Sequence, residues 1–180
     1  MNILTNQIDG ITTDFIKSFS PLTNEQLNRK PDPKTWSIAQ NIEHLIIVNE
    51  SYYPIIESIR NGSYKLPFIS KINIIVSFTG NMILKSISPD RKRKVKTFAI
   101  WEPETSQIPS DILKRFESHQ QNLKTLINNS NDLISKATII SSPANKNIVY
   151  KLETAFEIII VHERRHYNQA KEVQNKFAGL

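Results

Sequence analysis

The chain has 180 residues with no cysteine, four glycines and nine prolines, long enough to bury a core without cross-links and the size of one ordinary domain over residues 1–180. With 39% apolar and 22% charged residues it reads as neither fibrous nor disordered, and the lack of cysteine excludes disulfide scaffolds, thiolate zinc sites and thiol nucleophiles. A metal must therefore be held by nitrogen and oxygen. The net charge of +6 rests largely on one block, Arg91, Lys92, Arg93, Lys94 and Lys96. Such a run is more often a solvated element end than a binding face, and it lacks interleaved aromatics, so no nucleic-acid partner is expected.

Met1 to Gly10 has neither the basic start nor the apolar run of a signal peptide. The most apolar stretch, Phe68 to Ile87, is interrupted by Lys71, Asn73, Ser77, Thr79, Gly80, Asn81 and Lys85, too many polar groups for a segment bathed in lipid. The expectation is a cytoplasmic protein with no membrane partner.

In chain order, Leu4 to Ser18 reads as a helix that closes before Pro21. Thr23 with Gln26 suggests a short capped turn. Ser37 with Gln40 forms a capping box that opens the next helix, with Trp36 placed to staple its entry. From Ser37 the seam Ile38, Ile42, Leu45, Asn49, Tyr52, Ile56 and Ile59 predicts one long helix, kinked or bent at Pro54 and stopped by Asn61-Gly62. Ser70 to Ser86 reads as an irregular helix interrupted by Gly80. Trp101 to Pro109 is a proline-bounded connection, after which Ser110 is expected to cap a helix with the stripe Ile112, Phe116, His119, Leu123 and Leu126, ending near 128–131. Residues 132–148 read as a crossover loop. Leu152, Ala155, Ile159, His162, His166, Gln169 and Val173 then mark a last helix of about 25 residues, roughly 37 Å long. Four main helices emerge, with no convincing alternating strands; the β-branched run Ile158 to Val161 is outweighed by the helical spacing around it.

Three residues on the inward stripe of the last helix, His162, His166 and Gln169, are polar where a bundle wants apolar filling. Two imidazoles four residues apart project from adjacent turns, the spacing that lets both reach one cation. The second helix adds His44 beside the seam residue Leu45. Three imidazoles from two helices would leave positions open on a metal for water or substrate. The same residues also fit a half-exposed His44 and two hydrogen-bonded core histidines. Asn49 and Gln169 are candidates to orient ligands or substrate, or equally core amides satisfied by backbone. His119, also on an inward stripe, reads as a satisfied core or interface histidine rather than a fourth ligand.

His162-Glu163-Arg164-Arg165-His166 also matches H-E-x-x-H, in which the glutamate is a zinc peptidase's general base. Gln169 and Glu172 stand where a metzincin has its turn glycine and third histidine, so the peptidase is the lesser reading. Glu163 is then a weak catalytic candidate, with solvent the simpler environment for it.

Lys30-Pro31-Asp32-Pro33-Lys34-Thr35-Trp36-Ser37-Ile38-Ala39-Gln40 with Glu43-His44-Leu45, the segment Arg93 to Thr97, and His162 to Gln169 together resemble the DinB-like superfamily, in particular its metal-dependent hydrolase-like and thiol-transferase branches. The resemblance implies an all-α four-helix bundle with a long crossover, often a homodimer, and a divalent metal, zinc or nickel, on one histidine of the second helix and two of the last. Those are His44, His162 and His166 here. It also implies activation of water or of a low-molecular-weight thiol cosubstrate toward a small-molecule substrate; a non-enzymatic helical binding module with a structural metal is the alternative. DNA binding is not implied. The Ser63 to Ser88 insertion exceeds a minimal member.

Overall fold

The computed structural model describes residues 3–89, 97–103 and 107–177. The basic block 91–96, and with it most of the resembling segment Arg93 to Thr97, lies outside the described residues. Among the described residues a four-helix core is built by α1 (Ile3–Phe19), α3 (Ile38–Glu50), α6 (Ile112–Asn129) and α8 (Leu152–Phe177). Helix α1 packs on α6 and α8, and α3 packs on the same two, so α1 and α3 occupy opposite corners of an antiparallel-type bundle. The core between them is filled by Ile8, Ile11, Phe15, Ile42, Leu45, Phe116, Leu123, Phe156 and Ile159. The fold is all-α, as expected, apart from one small hairpin.

Both predicted capping boxes form. In short α2 (Asn24–Asn28), Thr23 and Gln26 exchange side-chain and backbone bonds, and Ser37 and Gln40 do the same at the start of α3. The predicted long second helix is two. It breaks at Ser51–Tyr52, and α4 (Tyr53–Arg60) begins with Pro54 in its first turn, the place where a missing N–H costs nothing. Helix α6 starts at Ile112 without a side-chain cap, Asp111 standing at the cap position in place of the expected Ser110.

The expected crossover loop is structured. A short α7 (Asn131–Ser135) leads into β1 (Ile139–Ser142), which pairs antiparallel with β2 (Asn145–Lys151) before α8 begins. Ser141-Ser142-Pro143 suggested a loop because polar residues dominate it, yet Ile140, Val149 and Tyr150 are buried and hold the hairpin to the bundle. Helix α5 (Asn73–Ile87), preceded by a 3₁₀ turn at Phe68–Lys71, lies outside the four-helix core against β2 and α8. Gly80 is its contact point: a β-carbon there would come 3.0 Å from the Thr154 methyl and 3.3 Å from the Tyr150 β-carbon. The Thr79 hydroxyl donates to the Val149 carbonyl at the same junction.

Candidate metal centre

Helices α3 and α8 pack side by side in the bundle, and their facing turns bring His44, His162 and His166 together. One ring nitrogen from each lies within 4.8 Å of the other two. His162 Nε2 is 3.4 Å from His44 Nε2 and 3.0 Å from His166 Nε2.

The outward nitrogens of two rings are fixed. His44 Nδ1–H donates to the Trp101 carbonyl at 2.6 Å, and a carbonyl can only accept, so the Nε2 of this ring carries a lone pair. His166 Nδ1–H donates to Asn41 Oδ1 at 2.8 Å, while Asn41 Nδ2 donates to the Ser37 carbonyl at 2.8 Å. The second bond settles which end of the Asn41 amide faces the histidine. Two bare lone pairs therefore point at the third nitrogen, and a single N–H on His162 can answer one of them. A cation answers all three. Three nitrogens at tetrahedral angles around zinc stand about 3.3 Å apart, which the observed separations bracket. His162 Nδ1 is buried without a partner. The donor set thus fits a divalent ion.

Electrostatics keep the rings in the ligating form. Burial pushes His44 down to about 4, against a smaller upward pull from its bond to Trp101. His162 is held well below the usual histidine range by burial first and then by His44 and the Arg165 guanidinium, and His166 by burial and then by His162, His44 and Arg165. All three are neutral near pH 7. Trp36 was expected to staple the helix entry; its indole instead packs 4.8 Å from the His44 ring and stacks 5.9 Å from His166, centroid to centroid. Of the three, His162 alone is only partly buried.

The remaining candidates fall elsewhere. Glu163 does not face solvent: it is 0% exposed, and its two oxygens accept from Asn49 Nδ2 at 2.8 Å and Gln120 Nε2 at 3.0 Å. Burial pushes its carboxyl up to about 7 against the opposing pull of those bonds. Asn49 also donates to His119 Nε2 at 3.2 Å, so it serves the Glu163 cluster and not the histidine triad. Gln169 is half-buried beyond His166 and makes no hydrogen bond to the triad. His119 stays out of the triad, with burial pushing it down to about 4. Sequence reasoning missed Asn41, Gln120 and the Trp101 carbonyl. Asn41 was detectable as a polar residue one turn before His44 on the same helix face; a backbone carbonyl from a distant connection leaves no sequence signal.

A helical bundle with a convergent three-histidine cluster on its second and last long helices is the class these observations define. The chain belongs to the DinB superfamily, whose family model matches residues 7–170. No curated protein and no solved structure is significantly similar to it. Among the described residues, no helix is long and apolar enough to cross a membrane.

Proposed function

We propose that the protein is a divalent-metal-dependent enzyme that uses His44, His162 and His166 to activate water or a low-molecular-weight thiol, for hydrolysis or for sulfur transfer to a small electrophilic substrate. The observation that carries this reading is the convergence of three neutral imidazole nitrogens, two of them, on His44 and His166, with tautomers set from outside by Trp101 and Asn41. A zinc or nickel ion held by three neutral ligands keeps its full +2 charge and supplies the Lewis acidity that lowers the pKa of a water or thiol sharing the site. Asn41 and the Trp101 carbonyl hold two rings at fixed angles, and Trp36 keeps bulk water off them. The exposed flank of His162 admits the substrate.

The peptidase reading loses its base. Both Glu163 oxygens are engaged inside the bundle by Asn49 and Gln120, so the carboxylate is not presented to a substrate at the histidines. A thiol route needs no such base, since acidifying the thiol releases its proton to solvent.

Cobalt-substituted protein is expected to show a sulfur-to-metal charge-transfer band on addition of 2-mercaptoethanol, His44→Ala to lose that band, and the loaded protein to accelerate displacement of halide from an activated aryl halide by the thiol. Metal bound without band or turnover would make the ion a fastener of the bundle. Glu163-dependent cleavage of peptides would restore the peptidase.

A further inference from the structure

Helix α5 has two unlike faces. Val76 and Gly80 are buried against the hairpin and α8, with Ile83, Leu84 and Ile87 half-buried beside them. The opposite stripe, Ile74, Phe78 and Met82, is 78%, 66% and 46% exposed, and Phe68 just before the helix is 76% exposed. Side chains four apart lie along one line of a helix, so Ile74, Phe78 and Met82 form a continuous apolar ridge in water, which a folded protein normally covers, with Phe68 exposed in the turn before it.

The charges around the ridge say what covers it. Lys71 and Lys85, both exposed, flank it seven residues either side of Phe78, close to two helical turns in each direction. From Ser58 to Pro89 there is no acidic residue, while Arg60, Lys65, Lys71 and Lys85 are basic. Between Glu57 and Glu102 the sequence holds nine basic residues and one acidic, more than the whole chain's net +6.

A second copy is a poor occupant for this face. Antiparallel pairing about Phe78 would set Lys71 against the partner's Lys85 at both ends, and parallel pairing would set each lysine against itself. Neither register supplies a carboxylate. Nucleic acid fits no better, because only the phenylalanines of this surface offer a flat ring for a base to stack on.

We propose that α5 docks this protein onto the surface of an acidic phospholipid bilayer, with Phe68, Ile74, Phe78 and Met82 entering the headgroup–acyl boundary and Lys71 and Lys85 meeting lipid phosphates. The polar residues that prevent this segment from spanning a membrane, Ser77, Thr79, Asn81 and Lys85 among them, do not interrupt the ridge. Lying in the interface requires only that one face be apolar.

Co-sedimentation of the full chain with vesicles of phosphatidylcholine, alone or mixed with phosphatidylglycerol, tests this. The wild type should pellet with the mixed vesicles at low salt and be released by high salt. Lys71→Ala with Lys85→Ala should weaken that binding by at least about tenfold, and Phe78→Ser with Met82→Ser should weaken it comparably by removing buried apolar area. Circular dichroism should be unchanged, because all four side chains are exposed. The proposal is overturned if the wild type ignores both kinds of vesicle, or if binding survives both double variants. It is equally overturned if Phe78→Ser with Met82→Ser turns a dimer into a monomer at sedimentation equilibrium, for then the ridge is a contact between copies.

Discussion

Asn41 is one amide doing two jobs: its nitrogen closes the first turn of α3 on the Ser37 carbonyl, and its oxygen holds the His166 ring. Asn41→Leu keeps the volume and deletes both bonds. Partners of metal-bound histidines are worth roughly 10- to 100-fold in metal affinity, so this variant should bind zinc that much more weakly. Competition with a chromophoric chelator measures it, and nitrogen chemical shifts of His166 should report a mixed tautomer. The double variant His162→Ala with His166→Ala should bind no stoichiometric metal while remaining helical by circular dichroism. His119 governs a different property. Its pKa is about 4 in the fold and near 6.5 in an unfolded chain. Between those values the unfolded state takes up a proton that the folded state refuses, so the stability His119 contributes is intact above about pH 6.5 and lost as the pH falls toward 4. Glu163 has the opposite sign. Raised to about 7, it favours the fold at low pH and gives up that contribution as the pH climbs through 7. His119→Gln should remove on the order of 3 kcal/mol of acid sensitivity, read as a shallower fall of the urea midpoint between about pH 6.5 and about pH 4.5 than in the wild type.

At the scale of elements, the long helices were legible because each carries several turns of consistent periodicity: Ile112, Phe116, His119 and Leu123 are all buried on α6, as their spacing predicted. The caps at Ser37 and Thr23 were legible because a capping box is a local signal. What stayed hidden depends on contacts distant in sequence. The hairpin strands are too short for alternation to show, and Tyr150 reaches the core through its hydroxyl's 2.9 Å bond to Tyr52. Gly80 reads as a weak point in a helix until β2 is seen against it. Gly80→Val should therefore cost about 1–3 kcal/mol despite valine's greater helix propensity, because its branches have to displace the Thr154 side chain and the Tyr150 β-carbon. A lower urea midpoint with unchanged slope would register that loss. Of the candidate site, spacing made the His162 and His166 pair readable, while His44 was placed by its position beside the seam and by the family resemblance. Glu163 was misread as solvent-facing because its partners, Asn49 and Gln120, sit on two other helices.

Over the whole molecule, α3 and α8 meet on their inner faces at a cluster of neutral nitrogens, so a bound ion ties the second bundle helix to the last. Such a tie stabilises by mass action: with free zinc at a thousand times its dissociation constant the gain is about 4 kcal/mol. Chelator treatment should accordingly lower the melting temperature, and added zinc should restore it in the wild type but not in His44→Ala. That α8 follows α3 in the sequence also sets an order of events during synthesis. His44 leaves the ribosome 118 residues ahead of His162, and Asn41 precedes the His166 it holds by 125. A nascent chain with one histidine of three has no purchase on the ion, and the 118 residues to be closed into a loop are about two thirds of the 180. Metal capture would thus wait for α8 to dock, and a chain cut short before it is expected to stay empty: a bound ion would certify that α3 and α8 have met.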